Sequence, residues 1–123
     1  MTYLKNEKLR ASIEAAEAGP TPAELDAAPY MNFWRLEHRG EDELRLHGRC
    51  DDHPEIDDRR VITSPLLALD HKHGWARTYT RWYRVGPNID IVKTADWNER
   101  LAEVEDKFRC IRNRLRKGLQ STG

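Results

Sequence analysis

Cysteine is nearly missing from this chain: Cys50 and Cys110 are the only two in 123 residues. Two lone thiols fit a reducing compartment better than a secreted disulfide scaffold. Long apolar runs are missing as well. No stretch approaches the length needed to cross a bilayer, and no basic-then-apolar leader opens the chain, so a cytoplasmic protein with no membrane partner is expected. Nor does charge of one sign dominate. The 21 Lys and Arg balance 21 Asp and Glu, which argues against a dedicated nucleic-acid coat or a membrane-surface protein. Catalytic signatures are absent too: there is no Gly-rich phosphate loop, no nucleophile elbow and no His-Glu-x-x-His. No motif fixes a reaction, and no catalytic residue or cofactor is assigned.

What remains is one domain, residues 1–123, large enough to bury roughly two thirds of its unfolded surface unaided. Only 38% of its residues are hydrophobic and 34% are charged, so its core is economical and its surface ionic. The charge is unevenly placed. Glu41 to Asp58 holds eight acids against Arg45 and Arg49, a net of −6, whereas Val61 to Lys93 holds five bases against two acids, a net of +3. That asymmetry predicts a polarised surface, or pairing within the molecule.

Thr2 to Ala18 is rich in helix formers, with Leu9, Ile13 and Ala16 at helical spacing. Gly19-Pro20 stops that helix, and Thr21-Pro22-Ala23-Glu24 is a start signal for a short second one, ended by Pro29. The first helix has a thin apolar stripe, suited to loose docking or to an arm that a partner takes. Residues 1–29 are thus an N-terminal helical segment. Residues 32–92 form an antiparallel β region. Its first hairpin pairs Phe33–His38 with Leu44–Gly48, and its second spans Val61–Gly86 around the turn His71-Lys72-His73-Gly74. Pro65 lies inside the second hairpin's first strand, which makes that strand an edge or a bulged one. Ile89–Val92 is a candidate last strand. Residues 95–117 form a long amphipathic helix. Trp97, Leu101, Val104, Phe108, Ile111 and Leu115 make its stripe, Thr94 or Asp96 its cap, and Gly118 its end. The expected fold is α+β: an antiparallel sheet of four to five strands, with an N-terminal helix and the long C-terminal helix packed on it.

Four constellations could carry chemistry. The first is the aromatic–basic strand. Extended from 75 to 85, it places Trp75, Arg77, Tyr79, Arg81, Tyr83 and Val85 on one face, with Arg84 on the other. Exposed, the first face offers rings for bases and guanidinium groups for phosphates. Buried, its rings are core and its arginines reach past them to the acidic loop. The second is the basic end of the last helix, where Arg109, Arg112 and Arg116 share a face and suit a phosphate backbone, or simply complement the helix dipole. The third is His47, Cys50, His53, His71 and His73, which match no zinc-site spacing but would serve a metal if the hairpins stack. The fourth is the acidic stretch with Asp51, Asp52, Asp57 and Asp58. It lacks the spacing of a calcium loop, yet could imitate phosphates in a partner's basic groove.

Around this hairpin stand Ile62-Thr63-Ser64-Pro65-Leu66, Leu69-Asp70, Ala76-Arg77-Thr78 and Tyr83-Arg84-Val85-Gly86, preceded by His53-Pro54. In this stretch the chain resembles a group of short bacterial domains of unknown function, often found near mobile elements. The match covers about a third of the chain and departs at Val85, where Leu is usual. The resemblance implies a bacterial or phage origin and a small β-domain, and it transfers no site. The expectation is a non-enzymatic binding or regulatory protein that contacts nucleic acid or a protein partner. Its binding residues would be Arg77, Tyr79, Arg81, Tyr83, Arg84, Arg109, Arg112 and Arg116. Two alternatives stand beside it: a phage or mobile-element inhibitor of a host defence machine acting through the acidic loop, and a small metal-dependent enzyme using the His/Cys cluster.

Overall fold

A computed structural model of the chain describes residues 6–40, 43–50, 60–86 and 97–122. Helix α1 spans Asn6–Ala18 and α2 spans Pro22–Ala27. Between them Gly19 adopts a left-handed φ of 82°, and its N–H donates to the Ala15 carbonyl at 3.0 Å, the ending that a β-carbon would strain. The capping box closes as the sequence implies. Glu24 N–H donates to Thr21 Oγ1 at 3.1 Å, and Thr21 N–H to Glu24 Oε1 at 3.0 Å.

Six strands follow: β1 Tyr30–His38, β2 Leu44–Cys50, β3 Arg60–Ile62, β4 Leu66–Asp70, β5 Trp75–Thr78 and β6 Trp82–Val85, then helix α3 over Trp97–Thr122. The sheet order is β3-β2-β1-β6-β5-β4. Every neighbouring pair is antiparallel except β1 and β6, which run parallel at Tyr30↔Arg84 and Met31↔Val85. The fold is α+β, but with six strands in a mixed sheet rather than four to five antiparallel ones. Pro65 is one source of the difference. It has no N–H to give to a ladder, so the expected first strand of the second hairpin divides there into β3 and β4.

Those two halves lie at opposite ends of the strand order, and that fixes the sheet's shape. In a flat sheet, five spacings would separate them by about 24 Å. The four Cα steps from Ile62 to Leu66 reach at most about 14 Å. The sheet must therefore curl until its ends meet. Thr63 N–H still donates to the Leu46 carbonyl at 2.9 Å, while Tyr79 N–H donates to the Pro65 carbonyl at 3.0 Å. Two residues of one short segment thus serve β2 and β5 in turn.

Inside the curl lie Met31, Trp34, Leu44, Leu46, Cys50, Val61, Leu66, Leu69, Ala76, Tyr83 and Val85, closed over by Leu101, Phe108 and Ile111 of α3. A second cluster joins Ile13 and Ala16 of α1 to Leu67 and Ala68 of β4 and Leu119 of α3. The thin stripe of α1 is therefore docked, with Ile13 wholly buried and Leu9 partly so. Leu119 also explains why α3 continues through Gly118, where the sequence places its end. A helical Gly costs about 1 kcal/mol relative to Ala, and burying a leucine one residue later offsets that. The candidate strand Ile89–Val92 and the caps Thr94 and Asp96 lie outside the described residues.

Strand β1 carries a bulge between Asn32 and Arg35. It lets Met31 and Trp34, three residues apart, both point inward, which strict alternation forbids. Opposite it, a β-carbon on Gly48 would stand 2.9 Å from Met31 Sδ and 2.9 Å from the Trp34 Cα. Because Trp34 Cα is backbone, Gly48→Ala is expected to lower stability by about 1–3 kcal/mol, the usual range for overpacking. Urea unfolding of the variant measures this; an unchanged midpoint would remove the steric account of Gly48.

Candidate functional site

The aromatic–basic strand is not continuous. Thr78 ends β5 by turning the chain: its N–H donates to the Arg81 carbonyl at 2.9 Å, and its Oγ1 accepts from Thr80 N–H at 3.2 Å and Arg81 N–H at 3.1 Å. The turn resets the alternation. Cross-strand pairs are Trp75↔Arg84, Ala76↔Tyr83 and Arg77↔Trp82, so the outer face carries Trp75, Arg77, Trp82 and Arg84. Tyr83 is 3% exposed and belongs to the core with Val85. The single face expected from 75 to 85 is corrected accordingly, and Tyr83 is not accessible as a stacking platform.

The N-terminal segment covers this outer face. Arg77 lies over the Trp82 ring, 5.1 Å from its centroid, and Trp82 meets Trp75 edge-on at 5.4 Å. Trp82 Nε1 donates to Glu24 Oε2 at 3.3 Å. Arg84 Nε donates to the Ala28 carbonyl at 2.8 Å, and its guanidinium lies over the Tyr30 ring. The hydrogen bonds seen for Arg77 and Arg84 go to Ser12 and Ala28 of the helical segment, and their guanidinium groups lie on the Trp82 and Tyr30 rings; the acidic stretch 51–58, offered as their alternative partner, lies outside the described residues. The bonds of Thr21 hold the Glu24 carboxyl below its ordinary pKa, with smaller help from Trp82 and Arg77.

The arginines of α3 divide likewise. Arg112 donates to the Leu67 carbonyl at 2.7 Å and lies 3.5 Å from Glu17, while Arg116 pairs with the same carboxylate. These two clamp α1 to α3 rather than present a grip for phosphates. Arg109 is exposed and bonds Asp106 one turn earlier.

Three of the nominated residues do converge. Arg77, Tyr79 and Arg81 join Lys8, Ser12 and Thr80 around a cleft of about 560 Å³ between α1 and the Thr78–Trp82 turn. Ser12 Oγ donates to the Tyr79 carbonyl at 2.7 Å and accepts from Arg77 Nη2 at 3.1 Å. Arg77 Nε is buried and has no hydrogen-bond partner among the described residues. Burial pushes the Arg77 pKa down, and the charge of Glu24 pushes it back. The guanidinium nevertheless stays charged, because arginine does not deprotonate in proteins. Among the described residues, three cations and no carboxylate line this cleft. Such a lining attracts an anion and supplies several N–H and O–H donors to it.

The described members of the His/Cys set do not gather. His47 faces outward beside Arg35, at 3.3 Å, and Glu37, at 3.5 Å, whereas Cys50 is buried. His71 is held by Glu105 of α3 through its N–H, at 2.9 Å, and its ring, at 3.1 Å. His73 bonds Asp70 at 2.9 Å. Among the described residues no three His, Cys, Asp or Glu are placed to hold a metal; His53 lies outside them.

Lys8 and Ser12 were not nominated from sequence, since only tertiary docking brings α1 to the turn. Their one signal was an amphipathic α1 whose polar residues follow the apolar stripe at helical spacing. Ser12→Ala strips Arg77 Nη2 and the Tyr79 carbonyl of one bond each, and a loss of about 1–3 kcal/mol is expected in urea unfolding. A second expectation concerns pH. The Arg116 hydrogen bond, then the charges of Arg116 and Arg112, hold Glu17 below its ordinary 4.5. A depressed carboxylate stabilises the fold above that value, and this is lost as pH falls through the folded pKa. Glu17→Gln is therefore expected to be less stable at neutral pH, by on the order of 1 kcal/mol or less at so exposed a pair. The two proteins should converge in acid melts; a gap that persists there would contradict the assignment.

No described helix is long and apolar enough to cross a membrane. Comparison with curated proteins and with solved structures gives no match for this chain. A family model described as a family of unknown function (DUF6634) matches residues 3–107, which takes in α1, α2, the six strands and the first part of α3. The chain belongs to that family.

Proposed function

We propose that this is a non-enzymatic binding or regulatory protein, acting in the cytoplasm, that receives a phosphate of a nucleic-acid partner in the cleft between α1 and the Thr78–Trp82 turn. One observation carries the reading: Lys8, Arg77 and Arg81 line the cleft, with no carboxylate among its described walls. Fixed guanidinium and ammonium groups beside hydroxyls are what a phosphate oxygen takes as partners. A role in binding also suits a chain whose signals stop short of any nucleophile, base or metal constellation. The bacterial or phage origin implied by the Ile62–Leu66 resemblance is compatible with it.

Arg77 is part of the scaffold, so Lys8 and Arg81 are the residues to change. Calorimetric titration with a 5′-phosphorylated thymidine dinucleotide should give saturable binding that weakens as salt rises. Lys8→Ala with Arg81→Ala should reduce affinity at least tenfold while the circular dichroism spectrum is kept. Binding equal in the double variant would remove the cleft as the site. Preference for an acidic peptide over the dinucleotide would replace nucleic acid by a protein partner.

A further inference from the structure

Among the described residues, the outer face of β1, β2 and β3 has none of the helical cover that α1 and α2 give to β5 and β6. Its rows follow from the register. Arg60 stands opposite Arg49, Ile62 opposite His47, and His47 opposite Arg35. Arg35, Arg49 and Arg60 are all exposed. Like charges set directly across a ladder destabilise it, and neither Arg35 nor Arg49 has a carboxylate partner among the described residues.

Beside this row Phe33 is 53% exposed and Ile62 44%. Phe33 also has a left-handed φ of 48°, a conformation that bulky residues rarely take. The bulge explains the backbone, since Trp34 can turn inward only if Phe33 turns out. It does not explain the residue, because Asn or Gly would suit that φ better. An exposed aromatic and an exposed isoleucine each disfavour the isolated fold, and they share this face with the facing pair Arg49 and Arg60.

This face is continuous with the cleft. Arg60, Ile62 and Ser64 alternate outward along the chain, and Ser64 Oγ meets Thr80 Oγ1 at 3.2 Å. Thr80 is a wall of the cleft. Lys8 and Arg81 of the cleft thus lie on one side of Ser64, and Arg60 and Arg49 on the other, with Phe33 next to Asn32, the ladder partner of Arg49.

We infer that the partner is a single strand of nucleic acid, its phosphates following Arg81, Arg60 and Arg49, with one base stacked on Phe33. The inference rests on the cleft reading and extends it. A duplex keeps its bases stacked on each other, so an exposed ring beside a phosphate track favours an unpaired strand.

Fluorescence anisotropy with a labelled oligothymidylate dodecamer tests the track, with the phosphorylated dinucleotide as the ligand that reaches the cleft alone. The dodecamer should bind at least tenfold more tightly than the dinucleotide. Phe33→Asn should weaken the dodecamer by about tenfold, within the usual range for a stacked base, and leave thermal stability unchanged or raised. Arg49→Ala with Arg60→Ala should flatten the slope of log affinity against log salt by about 1.4, two single-strand phosphate contacts. Neither change should alter dinucleotide binding. A dodecamer no tighter than the dinucleotide, or indifferent to both variants, overturns the inference while the cleft reading stands. Binding of neither ligand overturns both. Dimers in sedimentation that Phe33→Asn converts to monomers would make the face a self-association surface and overturn the inference too.

Discussion

The constraint on which the rest depends is covalent: three residues, Thr63, Ser64 and Pro65, join the two ends of a six-stranded sheet. Nothing else so short could force a sheet of that width to close on itself. Once closed, it has an inside, filled by Trp34, Leu46, Leu66 and Tyr83, and an outside that different elements share. Strand β4 becomes buried on both faces, Leu66 and Leu69 to the main core and Leu67 and Ala68 to α1. The same closure brings Ser64 against Thr80, so the outer face of β3 runs into the cleft.

Charge is the second organiser, and much of it is used inside the molecule. Arg84 is anchored to a helix-end carbonyl, Arg112 to a strand carbonyl, and Arg116 to the carboxylate that Arg112 also approaches. A guanidinium serves here better than an ammonium, because its planar fork reaches several acceptors at once and lies flat on aromatic rings. Lysine could not replace Arg77, which touches Ser12 on one side and the Trp82 ring on the other. The zero net charge of the chain thus hides arginines that act as struts between helix and sheet, beside Arg35, Arg49 and Arg60, which are exposed on β1, β2 and β3.

Much of the fold was legible in the sequence, because local chemistry wrote it. Gly19-Pro20, the Thr21–Glu24 box, the turn at His71–Gly74 and the stripe of α3 are all settled by neighbours within a few residues. What was not legible depends on partners far away. The split at Pro65 needs β2 and β5 to pull on its two sides, and the parallel pairing of β1 with β6 has no local signature at all. The turn at Thr78 was missed because Trp82 and Tyr83 read as a continuation of the strand, although a threonine with two N–H groups converging on its hydroxyl breaks it. For the site, Arg77, Tyr79 and Arg81 were found by composition. Ser12 lies 65 residues from Arg77 in sequence, and no pattern in α1 points across that distance. The bulge at Asn32–Arg35 was not legible either, since it leaves no mark in an alternating run.

The parallel seam between β1 and β6 sets the order of events in folding. It has two paired rows, Tyr30↔Arg84 and Met31↔Val85, with Arg84 N–H reaching Pro29, Gly86 N–H reaching Met31, and Trp34 Nε1 reaching Gly86. Its partners are more than fifty residues apart, while the β1–β2 and β4–β5–β6 hairpins are local. Joining the ends of such a loop costs about 3.5 kcal/mol in chain entropy. The hairpins can form before that cost is met, and the seam cannot form without meeting it. The ring is therefore expected to close last along this seam. Its amide protons, those of Arg84 and Gly86, are the ones to follow for the moment at which a chain of separate hairpins becomes one cooperative domain.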